Sequence, residues 1–212
     1  MVRTNKQGQS LGRKGSESRH RLIAAARELV GTLQSDRLTV RSISQAAGLA
    51  SQTFYLYFKD VDELLLVLSR EASNQIGEVA AVLAMPWERE ALEAWTSQFI
   101  AAFYRYWDSN RAVLTLRNFR ADTGHADYLA VRNETMQPIV RGLAKRIIAA
   151  QGSAEVSERD AAARAIVIVA AIERMASRYS ATMGADGGAL DSLDFKRAEA
   201  HILLLMLSPL PQ

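Results

Sequence analysis

Apolar residues recur three and four positions apart in segment after segment of this chain, and few stretches alternate with period two. That spacing predicts an all-α protein of about nine helices. Leu22, Ile23, Ala26, Leu29, Val30 and Leu33 form one stripe of a helix over 18–33. Thr39 is placed to N-cap a second helix over 40–46, which Gly48 stops. A short third helix is expected over 51–57. Asp60 with Glu63 makes an acidic version of a capping box for a long fourth helix over 61–84, closed by Pro86. Further helices are expected over 87–108, 111–122, 126–151, 157–183 and 192–207. Pro138 predicts a kink in the seventh. Residues 1–17 are polar, carry Gly8, Gly12 and Gly15, and have no apolar period, which predicts a flexible arm.

Composition narrows the function classes. Nearly half of the 212 residues are hydrophobic, enough for a sizeable core. With no cysteine, disulfides, thiolate zinc sites, iron–sulfur clusters and cysteine nucleophiles are excluded. Met1 leads into a polar, basic stretch, so a secretory leader is not expected. The longest purely apolar run, Ala165 to Ile172, is far short of the ~18 residues that suggest a membrane span. These features predict a soluble cytoplasmic protein with no membrane association. The net charge of +3 divides unevenly, +6 over residues 1–60 and −3 over 61–212. A basic first quarter on a mildly acidic body suggests that the first quarter meets a polyanion.

Residues 39–58 read TVRSISQAAGLASQTFYLYF. Two short helices around a Gly-containing turn describe a helix-turn-helix, with the first helix packed behind it. The second helix of such a pair lies in the DNA major groove. Here it presents Ser51, Gln52 and Thr53 at its N-terminal end; Gln bonds adenine in bidentate fashion and a Thr methyl touches thymine. The basic arm adds Arg3, Lys6, Arg13, Lys14, Arg19 and Arg21. Arms of this kind enter an adjacent minor groove or add only nonspecific attraction, and both readings stay open.

The segment resembles the DNA-binding domain of the TetR family of bacterial transcription regulators. The resemblance rests on Thr39-Val40-Arg41, Ile43, Ala46-Ala47-Gly48-Leu49, Thr53-Phe54-Tyr55-Leu56-Tyr57-Phe58 and Asp62-Glu63-Leu64, and covers about 19–68. It implies that Thr39 and Arg41 sit over the phosphate backbone, that Ser51, Gln52 and Thr53 approach bases or nearby phosphates, and that Tyr55 and Tyr57 touch phosphates. Phe54 and Phe58 look like core residues. Two positions depart from the pattern: Ala50 stands where the family usually has a capping Ser, and Val61 where it often has Lys, for which Lys59 is the nearest substitute. The implied organisation is a basic arm over 1–17, a DNA-binding domain over 18–60, and a ligand-binding and dimerisation domain over 61–212.

The body offers two features. Seven of the fifteen aromatics, including every tryptophan, fall between Trp87 and Trp107. Such a stripe is either bundle core or the wall of an apolar pocket. The resemblance favours a pocket drawing on Trp95, Phe99, Phe103, Trp107, Leu116, Phe119, Met136, Met175 and Tyr179, with Arg117, Asn118, Asn133 and Glu173 as polar candidates. Second, the last two predicted helices are apolar on nearly every side. Pairing them with their copies in a second chain through Ile166, Ala170, Ile202, Leu205 and Met206 buries those faces.

An enzyme is the competing class. A di-metal carboxylate bundle needs Glu-x-x-His twice, and only Glu17 to His20 occurs. No Gly-rich phosphate loop or G-x-S-x-G elbow is present. No catalytic residue, metal or cofactor is expected. The expected function is a homodimeric, sequence-specific DNA-binding repressor released from a pseudo-palindromic operator by a small, largely apolar effector. The alternative is an architectural or partner-regulated protein of the same fold without an effector.

Overall fold

The computed structural model describes residues 12–32, 38–86, 89–151, 155–179 and 190–208. Among them lie nine α-helices and no strand: α1 (Arg13–Thr32), α2 (Val40–Ala46), α3 (Ser51–Tyr55), α4 (Val61–Ser73), α5 (Gly77–Ala84), α6 (Leu92–Asp122), α7 (Ala126–Gln151), α8 (Glu158–Arg178) and α9 (Ser192–Leu207). Among the described residues no helix is long and apolar enough to cross a membrane.

Local chemistry accounts for four of the nine helix starts. The Thr39 side chain accepts from Ser42 N–H at 3.0 Å, and Ser42 Oγ accepts from Thr39 N–H at 3.0 Å, closing a capping box on α2. Asp60 accepts from Glu63 N–H at 2.9 Å; the Glu63 carboxylate reaches back past Asp60 to the Lys59 N–H. Ser157 caps α8 through Asp160 N–H, and Asp191 caps α9 through Leu193 and Asp194 N–H.

Three sequence expectations are corrected. The arm does not extend to residue 17, because α1 begins at Arg13; residues 1–11 lie outside the described residues. The fourth helix is not continuous to residue 84. It tightens into a 3₁₀ turn over Asn74–Ile76 and restarts at Gly77, where polar, weak helix formers give the chain no reason to stay regular. The break expected at Asp108-Ser109-Asn110 does not occur, so α6 runs 31 residues without interruption. Asn110 points inward there, its Nδ2 donating to the Tyr106 carbonyl at 3.1 Å and to Gln75 Oε1 at 3.0 Å. The polar residue at this position is therefore buried, its Nδ2 partnered and its Oδ1 without a partner among the described residues. Pro138 lies inside α7, which continues through it.

This long α6 is the axis of the body. It packs against α4, α5, α7, α8 and α9. Phe99, Phe103, Trp107 and Leu114 are fully buried along it. Trp95 joins α6 to α5: its indole N–H donates to the Val82 carbonyl at 2.8 Å. Arg146 of α7 lies 4.5 Å over the Trp95 ring and caps the end of α5 at the Leu83 and Met85 carbonyls. Gly142 lets α7 approach α5, since a Cβ there would collide with Leu83. At the other end of the chain α1 packs on α2, α3, α4 and α6. The small unit is thus seated directly on the body.

Candidate DNA interface and effector cavity

The helix-turn-helix is fixed from behind. Leu22, Ala26, Ile43, Phe54, Phe58 and Leu64 are buried in one cluster. Gly48 takes φ +63, the left-handed conformation that glycine accepts at least cost. The Arg21 guanidinium donates to the Ala47 and Gly48 carbonyls, so a side chain from α1 clamps the turn that sets the α2–α3 angle. A Cβ at position 48 would lie 2.7 Å from Arg21 Nη2. Arg19 lies 5.3 Å over the Phe58 ring. Two arginines read as part of a basic arm are therefore packed against this unit.

The opposite surface carries the candidate contacts. Thr39, Arg41, Gln52, Tyr55 and Lys59 are exposed, and Ser51, Thr53 and Tyr57 are half-buried. Arg41 has no ion-pair partner among the described residues, and Tyr55 is 53% exposed although its neighbour Phe54 is fully buried. α3 starts at Ala50 without a side-chain cap, leaving its first N–H groups open to an acceptor. Tyr57 packs at the edge of the core.

Helix α4 leads from this unit into the body and is gripped at both ends. At its start, Arg120 of α6 pairs with Asp62 at 3.1 Å, and the Tyr128 hydroxyl of α7 donates to the Asp62 carbonyl at 3.2 Å. Burial, with the nearby Asp62 carboxylate, pushes the Tyr128 phenol up to about 12, so it stays a donor at neutral pH. At its last residue, Ser73 Oγ accepts from Arg117 Nη1 at 3.1 Å. The arginine in each grip, Arg120 and Arg117, comes from the C-terminal third of α6.

Arg117 is fully buried and belongs to a polar cluster that spans four helices. Its Nη2 donates to Glu173 Oε1 at 3.1 Å and its Nε to Asn118 Oδ1 at 3.0 Å. Asn118 Nδ2 donates to the same Glu173 oxygen at 3.1 Å. Arg132 Nη2 meets Glu173 Oε2 at 2.6 Å, and its Nη1 meets Asp122 at 3.0 Å. Each charge is paired and hydrogen-bonded, the condition under which buried ions are tolerated.

This cluster borders a cavity of about 390 Å³ between α6, α7 and α8. Trp107, Phe119 and Ala170 give it an apolar side, and Asp122, Arg132, Glu173, Arg174 and Arg178 a charged one. A second groove of about 550 Å³ lies between α7 and α8 and shares Arg132, Ala170 and Glu173 with the first, adding Met136 and Ile166. The pocket candidates therefore divide. Trp107, Phe119 and Glu173 line the first cavity, and Met136 with Glu173 the second. Trp95, Phe99 and Phe103 stand in the core, Trp95 stacked on Phe99 with centroids 5.4 Å apart. Leu116 is buried, Met175 is half-buried, and Tyr179 stacks on Phe195 at 4.2 Å. The Trp87 side chain lies outside the described residues. Arg132, Arg174 and Arg178 were missed as cavity residues. A signal existed: Ala170, Arg174 and Arg178 stand one turn apart on one exposed face of α8.

Of the dimer candidates, Ile166, Ala170, Ile202 and Leu205 are exposed and Met206 is half-buried. With Val167 at 70% exposure, α8 and α9 present aliphatic side chains to solvent in the single chain. Behind them Glu199 of α9 is buried, and desolvation raises its carboxyl to about 7. The Tyr104 hydroxyl faces it without reaching hydrogen-bond geometry and is itself pushed above the usual phenol range, first by burial and then by Glu199.

Residues 22–68 match the family described as bacterial regulatory proteins, tetR family. Among curated proteins, none matches the chain in sequence. The fold has solved counterparts over nearly its whole length. The fatty acid degradation regulator FadR from Bacillus halodurans is 14% identical, covers 92% of this chain and 97% of its own, and superposes with a TM-score of 0.65. A tetR-family regulatory protein from Rhodococcus RHA1 is 17% identical over 92% of this chain and 98% of its own, TM-score 0.67. The TetR family regulator PfmR from Thermus thermophilus is 16% identical over 91% of this chain and 100% of its own, TM-score 0.60. Residues 22–68 thus carry a helix-turn-helix domain of the tetR family, and the all-helical chain as a whole shares the fold of these regulators.

Proposed function

We propose that this protein is a homodimeric, sequence-specific transcriptional repressor whose hold on DNA is released by a small molecule bound in the body. Residues 18–60 form the DNA-binding domain and 61–212 the ligand-binding and dimerisation domain. Gln52 and Thr53 read base edges, with Ser51 beside them. Thr39, Arg41, Tyr55, Tyr57 and Lys59 engage phosphates. A second copy covers the aliphatic faces of α8 and α9, and the two recognition helices then enter successive major grooves roughly 34–36 Å apart, on a pseudo-palindromic operator. One observation carries the release mechanism: the C-terminal third of α6 grips α4 at Asp62 and Ser73, and the same stretch lines the cavity. A ligand there biases the helix that carries the DNA-binding unit. Effective release needs a coupling of about 1–3 kcal/mol between the two sites.

Selection of a preferred sequence from random duplex DNA by the purified protein tests this reading. The expected result is an inverted repeat with half-sites about one turn apart. Enrichment of no sequence, with binding that vanishes at moderate salt, removes the sequence-specific reading and supports a nonspecific or partner-dependent role.

A further inference from the structure

The cavity between α6, α7 and α8 has an unequal balance of donors and acceptors. Its buried acceptors, the two oxygens of Glu173, are occupied. Both oxygens of Glu173 take hydrogen bonds, from Arg117 and Asn118 on one side and Arg132 on the other, and Arg132 also holds Asp122. Donors are left over. Arg174 and Arg178 line the wall and form no ion pair with the described residues. Trp107 also lines it, fully buried, and its indole N–H has no acceptor among the described residues. A buried donor without a partner is costly, which makes this one a place where an acceptor is wanted.

We infer that this cavity takes an organic anion with an apolar body, its acidic group held by Arg174 and Arg178. The inference rests on the reading that the body holds the effector, and names the effector's chemical class. One turn apart on α8, the two guanidiniums stand roughly 5–6 Å from each other at their Cβ atoms, close enough to converge on one carboxylate, sulfonate or phosphate. The Trp107 N–H supplies a further donor, and Phe119, 60% exposed in the unliganded chain, gives the apolar body a surface to cover. The volume of about 390 Å³ is that of a small-molecule site. A cation would face two unpaired arginines. A neutral molecule would cover them without compensation. The largely apolar effector expected from the aromatic stripe is thereby replaced by an amphipathic one, because most of that stripe is spent in the core.

The test uses the full chain and probes matched in shape: naphthoate, naphthylmethanol and naphthylmethylamine, with octanoate and octanol as aliphatic counterparts. Titration calorimetry and the ligand-induced rise in Tm report binding. At least one carboxylate binds, its alcohol binds about tenfold more weakly or worse, and the amine does not bind. R174Q and R178Q each weaken the carboxylate about tenfold. Both leave the Tm of the unliganded protein and its DNA affinity unchanged, as exposed positions should. The inference is overturned by an alcohol or amine that binds as well as the carboxylate, by anion affinity indifferent to R174Q and R178Q, or by no carboxylate binding at millimolar concentration in protein that still selects its operator. Anion binding that leaves the operator complex intact keeps the site and removes the effector reading instead.

Discussion

The helix-turn-helix and the body use their arginines in opposite ways. In the small unit Arg41 stands in solvent and Arg21 reaches only carbonyl oxygens of a neighbouring turn, so the chemistry lies on the surface of a minimal apolar core. In the body Arg117 is fully enclosed and Arg132 half-enclosed, both closing on Glu173. The difference matches the ligands proposed for each region. DNA is a large polyanion that brings its own shape, and a convex surface of short polar side chains is enough to read it. A small molecule must be surrounded, and surrounding it requires polar groups inside the fold that are held in place and can be re-partnered.

That contrast can be broken most sharply at Arg117. Replacing it by alanine removes one of the three side chains that hold Glu173 in a buried site, so stability should fall by about 3–5 kcal/mol. For a chain of this size that is a drop in Tm of roughly 10 °C. Pairing Arg117→Met with Glu173→Met should recover most of the loss, because neither charge then remains to be solvated. Chemical denaturation of the two variants measures it, and an Arg117→Ala variant within about 1 kcal/mol of wild type would show that the cluster is not the closed network described.

The second effect is pH-dependent and specific to the body. Glu199 has a folded pKa of about 7, above its unfolded value of 4.5, so the native state holds a proton that the unfolded chain has lost. Its favourable contribution is complete below about 4.5 and disappears as pH rises through about 7. Wild type should lose on the order of 3 kcal/mol across that window relative to Glu199→Gln. Parallel pH profiles of the two proteins would contradict the assigned burial.

Smaller effects belong to the helix-turn-helix. Gly48→Ala puts a Cβ into a left-handed position and against Arg21, costing about 1–2 kcal/mol. Part of this should be absent in an Arg21→Ala background, where the clash is gone while the backbone penalty remains. Arg41→Ala should change stability by no more than about 0.5 kcal/mol. It should weaken all DNA sequences alike and shallow the salt slope by about one unit. Gln52→Ala should instead relax preference at one or two operator positions. If it weakens random and specific DNA equally, Gln52 does not face a base edge.

The two regions also differ in how far they could be read before the structure. α2, its Thr39 cap, the Gly48 turn and the uncapped Ala50 start of α3 follow from residues within a turn of one another, so the local pattern carries them. Helix starts at Asp60, Ser157 and Asp191 are local in the same sense. The ends and breaks in the body are not. Asn110 reads as a stop because its polarity is visible and its partner Gln75, 35 residues away, is not. Ser73-Asn74 lies inside an apolar stripe whose periodicity hides the change of helix type. The aromatic run between Trp95 and Trp107 gives no sign of which rings border space, since one helix face turns from α5 and α7 toward the cavity along its length.

What the sequence determined by itself is the all-helical class of the protein and the helix-turn-helix whose surface is proposed to meet DNA, because helical period, caps and a left-handed glycine are properties of neighbouring residues. Only the tertiary structure decided that Arg117 lies inside, that Glu173 has no oxygen to spare, and that Arg174 and Arg178 look into a cavity with unmatched donors. Those facts depend on which charges from α4, α6, α7 and α8 meet after packing. A charge in a sequence carries its sign, while its solvation and its partner are set by the fold.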